Sequence, residues 1–337
     1  MKVYRLDPVG TLDGLKLFDE PEPRPGPHEV LIRVRAASLN YRDLKVALGA
    51  YRRNEIKARP IPLSDGAGEI VEVGPGVTRV KVGDRVAGIF TQRWLAGRSD
   101  PSYASSAMGG PADGMLAERV VLSEEGVVRI PAHLSFEEAA TLPCAALTAW
   151  HALFARGHLT AGDTVLSLGT GGVSLFAAQF ARMAGARPIV TSSSEEKIAR
   201  LKAMGITDIV NYRSTPDWEN AVLELTGGQG VDHALELGGS GTFAKSLSAL
   251  RMGGNLYMIG NLAEKAQVNP QRILAKRACV YGIQVGSREM FEGMNRAIAQ
   301  AKLKPIIDRR FEFANARAAY DHLASQAHFG KIVIQGA

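Results

Sequence analysis

The residues with the plainest chemical meaning lie at one glycine-rich turn. In DTVLSLGTGGVSLFAAQFARMAGA an apolar run leads into Gly169, Thr170, Gly171, Gly172 and Val173, and an amphipathic periodicity follows. Strand, turn and helix in that order are the context in which a dinucleotide fingerprint has physical meaning. A glycine at 169 allows the tight turn, and one at 171 lets backbone approach a pyrophosphate. The helix then offers that group unpaired N–H donors and the positive end of its dipole. Ser174 stands where the fingerprint's third glycine is expected, and its small side chain still permits close helix–strand packing.

The next apolar run, in ARPIVTSSSEEKIARL, decides which dinucleotide fits. It ends on Thr191, Ser192 and Ser193 in place of the acidic residue that holds the ribose hydroxyls of NAD. With no carboxylate at the strand end, Ser192 and Ser193 can donate to a 2′-phosphate and Lys197 can add positive charge, which favours NADP(H). A second reading makes the serines the cap of a helix at SEEK and Lys197 a solvated helix residue. The two are compatible, because a cap and a phosphate share one helix terminus. Glu195 and Glu196 weigh against a phosphate nearby.

These groups need a sheet to position them. DTVLSLG, RPIVTSS, DIVNYR, VDHALELG, GNLYMIG and CVYGIQV read as strands, with VSLFAAQFARMAGA, SEEKIARLKAMG and TFAKSLSALRMGG as helices between them. The alternation predicts an α/β fold with a doubly wound parallel sheet. Ahead of it HEVLIRVRAASLN, GAGEIVEVGPGV, DRVAGIF and AERVVLS are short strands punctuated by Gly and Pro, predicting a β-barrel-like unit. Near the end, EMFEGMNRAIAQAKLKP and ANARAAYDHLAS read as helices flanking FEF, and FGKIVIQ as a closing strand that returns to the first unit.

Composition bounds the function classes. The 337 residues exceed the roughly 250–300 at which one core gives way to several, so two domains with a cleft between them are expected. No apolar run approaches the ~20 residues of a membrane span. The start MKVYRLDPVGTLDGLKL lacks the pattern of a secretory or transit signal, which points to the cytoplasm. Cys144 and Cys279 are too few for a disulfide framework. The net charge of +6 comes from scattered Lys and Arg, so no nucleic-acid partner is expected.

The successive landmarks PRPGPHEVLIRVRAASLNYRDLKVALG, GAGEIVEVGPGVTRVKVGDRV, AATLPCAALTAWHAL, GTGGVSLFAAQFARMAGA and GKIVI resemble the medium-chain dehydrogenase/reductase superfamily over essentially the whole chain. The resemblance implies a GroES-like catalytic domain from residues 1–146 and 287–337 and a Rossmann domain at 147–286. It also implies a homodimer or homotetramer. Zinc alcohol dehydrogenases carry a cysteine ligand where this sequence has Asn40, and a His-Glu pair where it has Ser64-Asp65. Only Cys144 matches a ligand position, and FTQRWLAGRSDPSYASSAMGGPADG lacks the four-cysteine lobe. Asn and Ser are poor zinc ligands, so the sequence is similar to the zinc-independent, quinone oxidoreductase-like branch. Asp43 and Asp65 remain conceivable cation ligands, with Asp43 alternatively bonding backbone amides or Arg42. Cys144 can be a packed small hydrophobe.

That branch implies hydride delivery from NADPH to a quinone or α,β-unsaturated carbonyl. Asn40 is implied beside the nicotinamide, with Tyr41 and Tyr51 as further donors; Tyr51 is alternatively an exposed ring next to Arg52 and Arg53. Around the cofactor the resemblance implies Thr148, Tyr212 near the 2′-phosphate, and the loops Gly238-Gly239, Gly260-Asn261 and Gly286-Ser287. Two other readings stay open: a zinc-containing alcohol dehydrogenase with rearranged ligands, and a non-catalytic NADPH-binding sensor.

Overall fold

The eleven residues EVLIRVRAASL form the long strand Glu29–Leu39, around which the first unit is laid out. The computed structural model describes residues 1–51, 55–260 and 269–336, so Asn261, Arg52 and Arg53 lie outside the described residues. One unit comprises Met1–Leu147 and Val285–Ala337, the other Thr148–Gln284. None of the described helices is long and apolar enough to cross a membrane.

Eight of the eleven residues of Glu29–Leu39 are buried, the exceptions being Glu29, Arg33 and Arg35, which explains its largely apolar composition. Strand Asp65–Val73 pairs antiparallel along one edge, from Val30↔Val73 to Ser38↔Asp65. Two segments far apart in sequence share the other edge. Arg119–Ser123 pairs with the first half, ending at Arg33↔Arg119, and Lys331–Gln335 pairs with the second, ending at Ile332↔Leu39. Ile307–Phe311 beside Lys331–Gln335, and Arg85–Gly88 and Val127–Arg129 beyond Asp65–Val73, complete a seven-stranded sheet. The register therefore sets the end of the central strand, at Leu39, between Asp65 and Lys331.

Glu124 fastens a loop of this unit. Its carboxylate accepts from the backbone N–H of Thr78 and Arg79, each at 2.8 Å, and from His28 Nδ1 at 3.0 Å. The Arg79 N–H, with His28 and Thr78, holds its pKa down to about 2. The folded value lies below the unfolded one, so this stabilisation is fully present above the ordinary carboxylate range and fades as pH falls towards about 2. We expect Glu124→Gln to cost about 1.5–3 kcal/mol at pH 7. In urea unfolding the gap to the parent protein should shrink at pH 3; a gap independent of pH would disprove the linkage.

The second unit is a six-stranded parallel sheet in the order Asp208–Asn211, Arg187–Ser192, Thr164–Ser167, Val231–Glu236, Leu250–Met258, Cys279–Gly282. The sequence runs outward in both directions from the pair Thr164–Ser167 and Val231–Glu236, the switch point at which such sheets bind ligands. Helices Gly172–Met183, Glu195–Ala203, Trp218–Leu225, Phe243–Ala249 and Gln271–Lys276 connect the strands. The α/β doubly wound expectation is met.

Several boundaries differ from expectation. The helix read through TFAKSLSALRMGG stops at Ala249, because Leu250 pairs with Val231 and is fully buried in the core of this unit; tertiary pairing overrides local periodicity. FEF, read only as the segment between two helices, overlaps the end of strand Ile307–Phe311, which parallel pairing with Lys331–Gln335 places there, and Phe313 opens a 3₁₀ turn. The antiparallel pair Lys2–Leu6 and Leu15–Asp19 and the helices Tyr41–Ala47, Trp218–Leu225 and Gln271–Lys276 have sequence signals too short to have been read.

Candidate functional site

The glycine turn keeps its expected geometry and leaves room beside it. Gly169 adopts φ +74°, and its N–H donates to Thr191 Oγ1 at 3.1 Å, tying the turn to the next strand. Ser174 is buried and donates to Leu168 O at 2.7 Å, so the serine in place of the third glycine braces the turn from inside. Gly171 is different. Its backbone is extended, at φ −77° and ψ −179°, and it caps Gly172–Met183 without a side-chain hydrogen bond. A Cβ there would meet nothing within 4 Å. Neither strain nor packing calls for glycine at 171, and the open space above an uncapped twelve-residue helix fits an approaching pyrophosphate.

At the end of the next strand Ser192 is 2% exposed, and its Oγ accepts from Ser194 N–H at 3.4 Å. Ser193 is half-buried. The cap of Glu195–Ala203 is neither of these but Ser194, which accepts from Lys197 N–H at 3.3 Å. Tyr212 is 41% exposed, and its N–H donates to Ser192 O at 3.0 Å, which sets the residue beside this strand end. The Glu195 carboxylate accepts from Asn211 Nδ2, an engagement that draws its charge towards the neighbouring strand.

The sequence reading missed Glu236. It is fully buried, and Oε1 accepts from Gly238 N–H at 2.9 Å, Gly239 N–H at 2.8 Å and Thr242 Oγ1, while Oε2 accepts from Ser246 Oγ. Burial raises its pKa against the pull of these donors. One carboxylate thus shapes the Gly238-Gly239 loop, and the signal for it was an acidic residue inside the apolar run VDHALELG. Gly260 is required by its surroundings, since a Cβ would lie 1.9 Å from Leu237 O. Thr148 is 4% exposed within Leu147–Trp150. In the first unit, a Cβ on Gly286 would lie 2.9 Å from Leu147 Cγ, and Ser287 is a buried cap whose Oγ accepts from Met290 N–H at 3.2 Å. That bond gives Ser287 a structural task in helix Arg288–Ala301.

The end of the central strand gathers the first unit's reactive groups. Asn40 precedes helix Tyr41–Ala47, and its backbone N–H donates to Asp43 Oδ2 at 2.8 Å. Asp43 is 1% exposed and also accepts from Arg42 Nη1 at 3.2 Å, the structural role foreseen as its alternative. Asp65 is fully buried and accepts from Ser64 Oγ at 2.7 Å and Cys144 N–H at 3.0 Å. Lys331, 2% exposed, donates to Leu39 O and to Asn40 Oδ1, each at 2.6 Å. Sequence reasoning quoted GKIVI as a landmark but did not see this lysine as part of the cluster.

Electrostatics couples these groups. Burial pushes the Asp43 carboxyl up to about 6 against the pull of Arg42, with Asp65 adding to the rise. Asp65 is raised by burial and eased down chiefly by Lys331. Lys331 is lowered by burial, and Asp65, Cys144 and Asp43 oppose that. Burial and Asp65 push the Cys144 thiol up, so it is not a thiolate at neutral pH. Tyr41 lies half-buried with the Lys45 ammonium 5.2 Å from its ring centre. Tyr51 is half-buried against the core, with the Arg42 guanidinium 5.2 Å from its ring and 4.8 Å from that of Phe90. It is half-buried rather than exposed, with Arg42 against its ring, while Arg52 and Arg53 of the alternative reading lie outside the described residues. Among the described residues no three His, Cys, Asp or Glu side chains are grouped to hold a metal ion.

Known proteins match along the chain. Residues 26–132 match the alcohol dehydrogenase GroES-like domain, and residues 172–300 match the zinc-binding dehydrogenase family. A zinc-type alcohol dehydrogenase-like protein of Schizosaccharomyces pombe is 41% identical over 98% of this chain and 97% of its own length. A quinone oxidoreductase of Pseudomonas aeruginosa is 31% identical, covering 96% of each chain. A crystal structure from Sinorhizobium meliloti, of a protein provisionally designated an alcohol dehydrogenase, superposes with TM-score 0.92 at 39% identity over 99% of this chain and 98% of that one. With a GroES-like domain, a Rossmann sheet and relatives of this similarity over its whole length, the chain belongs to the medium-chain dehydrogenase/reductase superfamily of oxidoreductases.

Proposed function

We propose that the protein is an NADPH-dependent, zinc-independent reductase of quinones or α,β-unsaturated carbonyls. The observation that carries this reading is the Lys331 ammonium, held among Asn40, Asp65 and Asp43 where a zinc enzyme of the superfamily needs its metal ligands. A second, divalent cation there would meet the like charge of Lys331, which already draws on the Asp65 and Asp43 carboxylates, and otherwise only the amide of Asn40, the hydroxyl of Ser64 and the protonated thiol of Cys144, which zinc binds poorly. The name of the Pseudomonas aeruginosa relative supports the quinone class.

When bound, NADPH supplies the hydride. The uncapped helix at Gly171-Gly172 holds the pyrophosphate, with Gly169, Thr170 and Val173 completing the cradle. Ser193, Lys197 and Tyr212 meet the 2′-phosphate, and the buried Ser192 sets the strand end beneath them. Thr148, Gly238, Gly260, Gly286 and Ser287 shape the path of the remaining cofactor. Asn40 Nδ2 donates to the acceptor oxygen on which charge develops, and Tyr41 and Tyr51 are further donors. An amide donates without titrating and serves at any pH at which the fold persists. Strand Cys279–Gly282 at the sheet edge exposes Val280 and, among the described residues, a backbone row with no strand partner, which suits pairing with a second copy in a homodimer or homotetramer.

The test is NADPH oxidation by chelator-treated protein with a panel of quinones and enones, run beside NADH. We expect turnover without metal and kcat/KM favouring NADPH by about tenfold or more, the worth of one charge-assisted contact. Lys197→Ala should lower kcat/KM for NADPH and leave that for NADH unchanged. Activity regained only with zinc would overturn the metal-free reading, and equal use of both cofactors would overturn the phosphate site.

A further inference from the structure

Asn40 is useful as a donor only if its amide faces the right way round, and nothing within an amide fixes that: its oxygen and nitrogen ends have nearly the same shape. We propose that Lys331 is the positioning residue that orients it. An ammonium has three donors and no acceptor. Nζ lies 2.6 Å from the Asn40 amide, so the atom that faces it must be Oδ1. The second Nζ contact, to Leu39 O at 2.6 Å, ties the ammonium to the residue preceding Asn40.

The strand register makes the arrangement rigid. Ile332 pairs with Leu39 across the sheet, and Lys331 is its immediate neighbour, so the lysine cannot slide along the strand without breaking the ladder. Gly330, at φ +88°, brings the chain into that strand. The charges of Asp65 and Asp43 keep the ammonium in place, and Asp65 is itself fixed by Ser64 and by the Cys144 N–H. The opposite end of the amide shows the consequence. Nδ2 is buried and meets no acceptor in hydrogen-bonding geometry, although it lies near enough to Asp65 to ease that carboxyl down. Buried donors are seldom left unmade without a reason, and a substrate oxygen is the acceptor this one lacks. Without Lys331 the amide could turn over and present an acceptor to that oxygen.

The inference rests on the proposed role of Asn40 and is separable from it. The measurements are kcat, KM for the acceptor and the NADPH dissociation constant by fluorescence, for Lys331→Met, Asn40→Ala and the double variant. Circular dichroism checks the fold of each. Lys331→Met should lower kcat on the order of 10²-fold, as a misaimed group does, with NADPH affinity unchanged, and should add almost nothing in the Asn40→Ala background. Should Lys331→Met fail to fold, Lys331→Gln serves in its place: it is polar but can itself accept a hydrogen bond, so it no longer dictates the amide's orientation, and kcat should fall in the same way. A full additional loss of kcat in the Asn40→Ala background, or no loss in the parent background, overturns the positioning role while leaving Asn40's own role intact. An Asn40→Ala variant with parent-like kcat would instead remove the reading on which the inference stands.

Discussion

Replacing Asn40 with alanine should lower kcat by about 10²–10³-fold, the usual cost of losing one preorganised donor to a developing oxyanion, while NADPH binding stays essentially unchanged. The split matters because the side chain lies at the end of strand Glu29–Leu39 in the first unit, whereas the glycine turn proposed to hold the cofactor is in the second. Its contact with Lys331 is lost too, but the lysine keeps Leu39 O and the neighbouring Asp65, so folding should survive. Asn40→Asp sharpens the point. A carboxylate keeps an acceptor towards Lys331 and removes the only N–H₂, so it should be as poor a catalyst as alanine with a better-held site. Steady-state kinetics and a melting curve for each variant decide the matter; an aspartate variant with near-parent kcat would rule out amide donation.

The second large effect is expected at Gly171. A valine there adopts the extended backbone without strain and its Cβ meets nothing within 4 Å beyond the flanking residues, so only the weaker N-cap is lost and the melting temperature should stay within about 4 °C of the parent. The NADPH dissociation constant should rise on the order of 10²-fold, about 2.7 kcal/mol, because the new side chain fills the space in which backbone and pyrophosphate must approach. Gly260 makes the contrast, since its added Cβ would collide with Leu237 O in the protein alone. Fluorescence titration and thermal unfolding of Gly171→Val settle the question together. Parent-like affinity would mean that this turn does not carry the cofactor, and a large loss of stability would mean that the glycine serves the fold.

What the sequence could and could not disclose follows from the range of the interactions. The glycine turn was legible because strand, turn and helix are contiguous and each glycine has a local reason. The parallel sheet was legible for the same cause, as apolar runs and helical periods alternate. Lys331 was not, since it meets Asn40 across 291 residues of chain, and only the pairing of Lys331–Gln335 with Glu29–Leu39 brings them together. Glu236 was half legible: its acidity within an apolar run was visible, its four donors were not. At the second strand end the serines were read both as a helix cap and as candidate phosphate ligands; the cap is Ser194 and neither Ser192 nor Ser193, because which serine caps depends on where the helix starts.

The shared edge of Glu29–Leu39 also bears on how this chain reaches its native state. The contact between Leu39 and Lys331 closes a very long loop, and loop-closure entropy, though it grows slowly with length, must be met before such contacts give anything back. The second unit lies wholly inside that loop, and its own strands pair through short crossovers. Gly286 packs against Leu147, so the chain leaves for the inserted unit and returns from it at neighbouring points. Once the insert has condensed, the loop that remains to be closed is far shorter than the sequence separation suggests. The inserted unit thus acts as an internal tether that raises the local concentration of the final strand near its docking edge, and the nucleotide-binding half of the molecule becomes a kinetic aid to assembly of the half that carries Asn40.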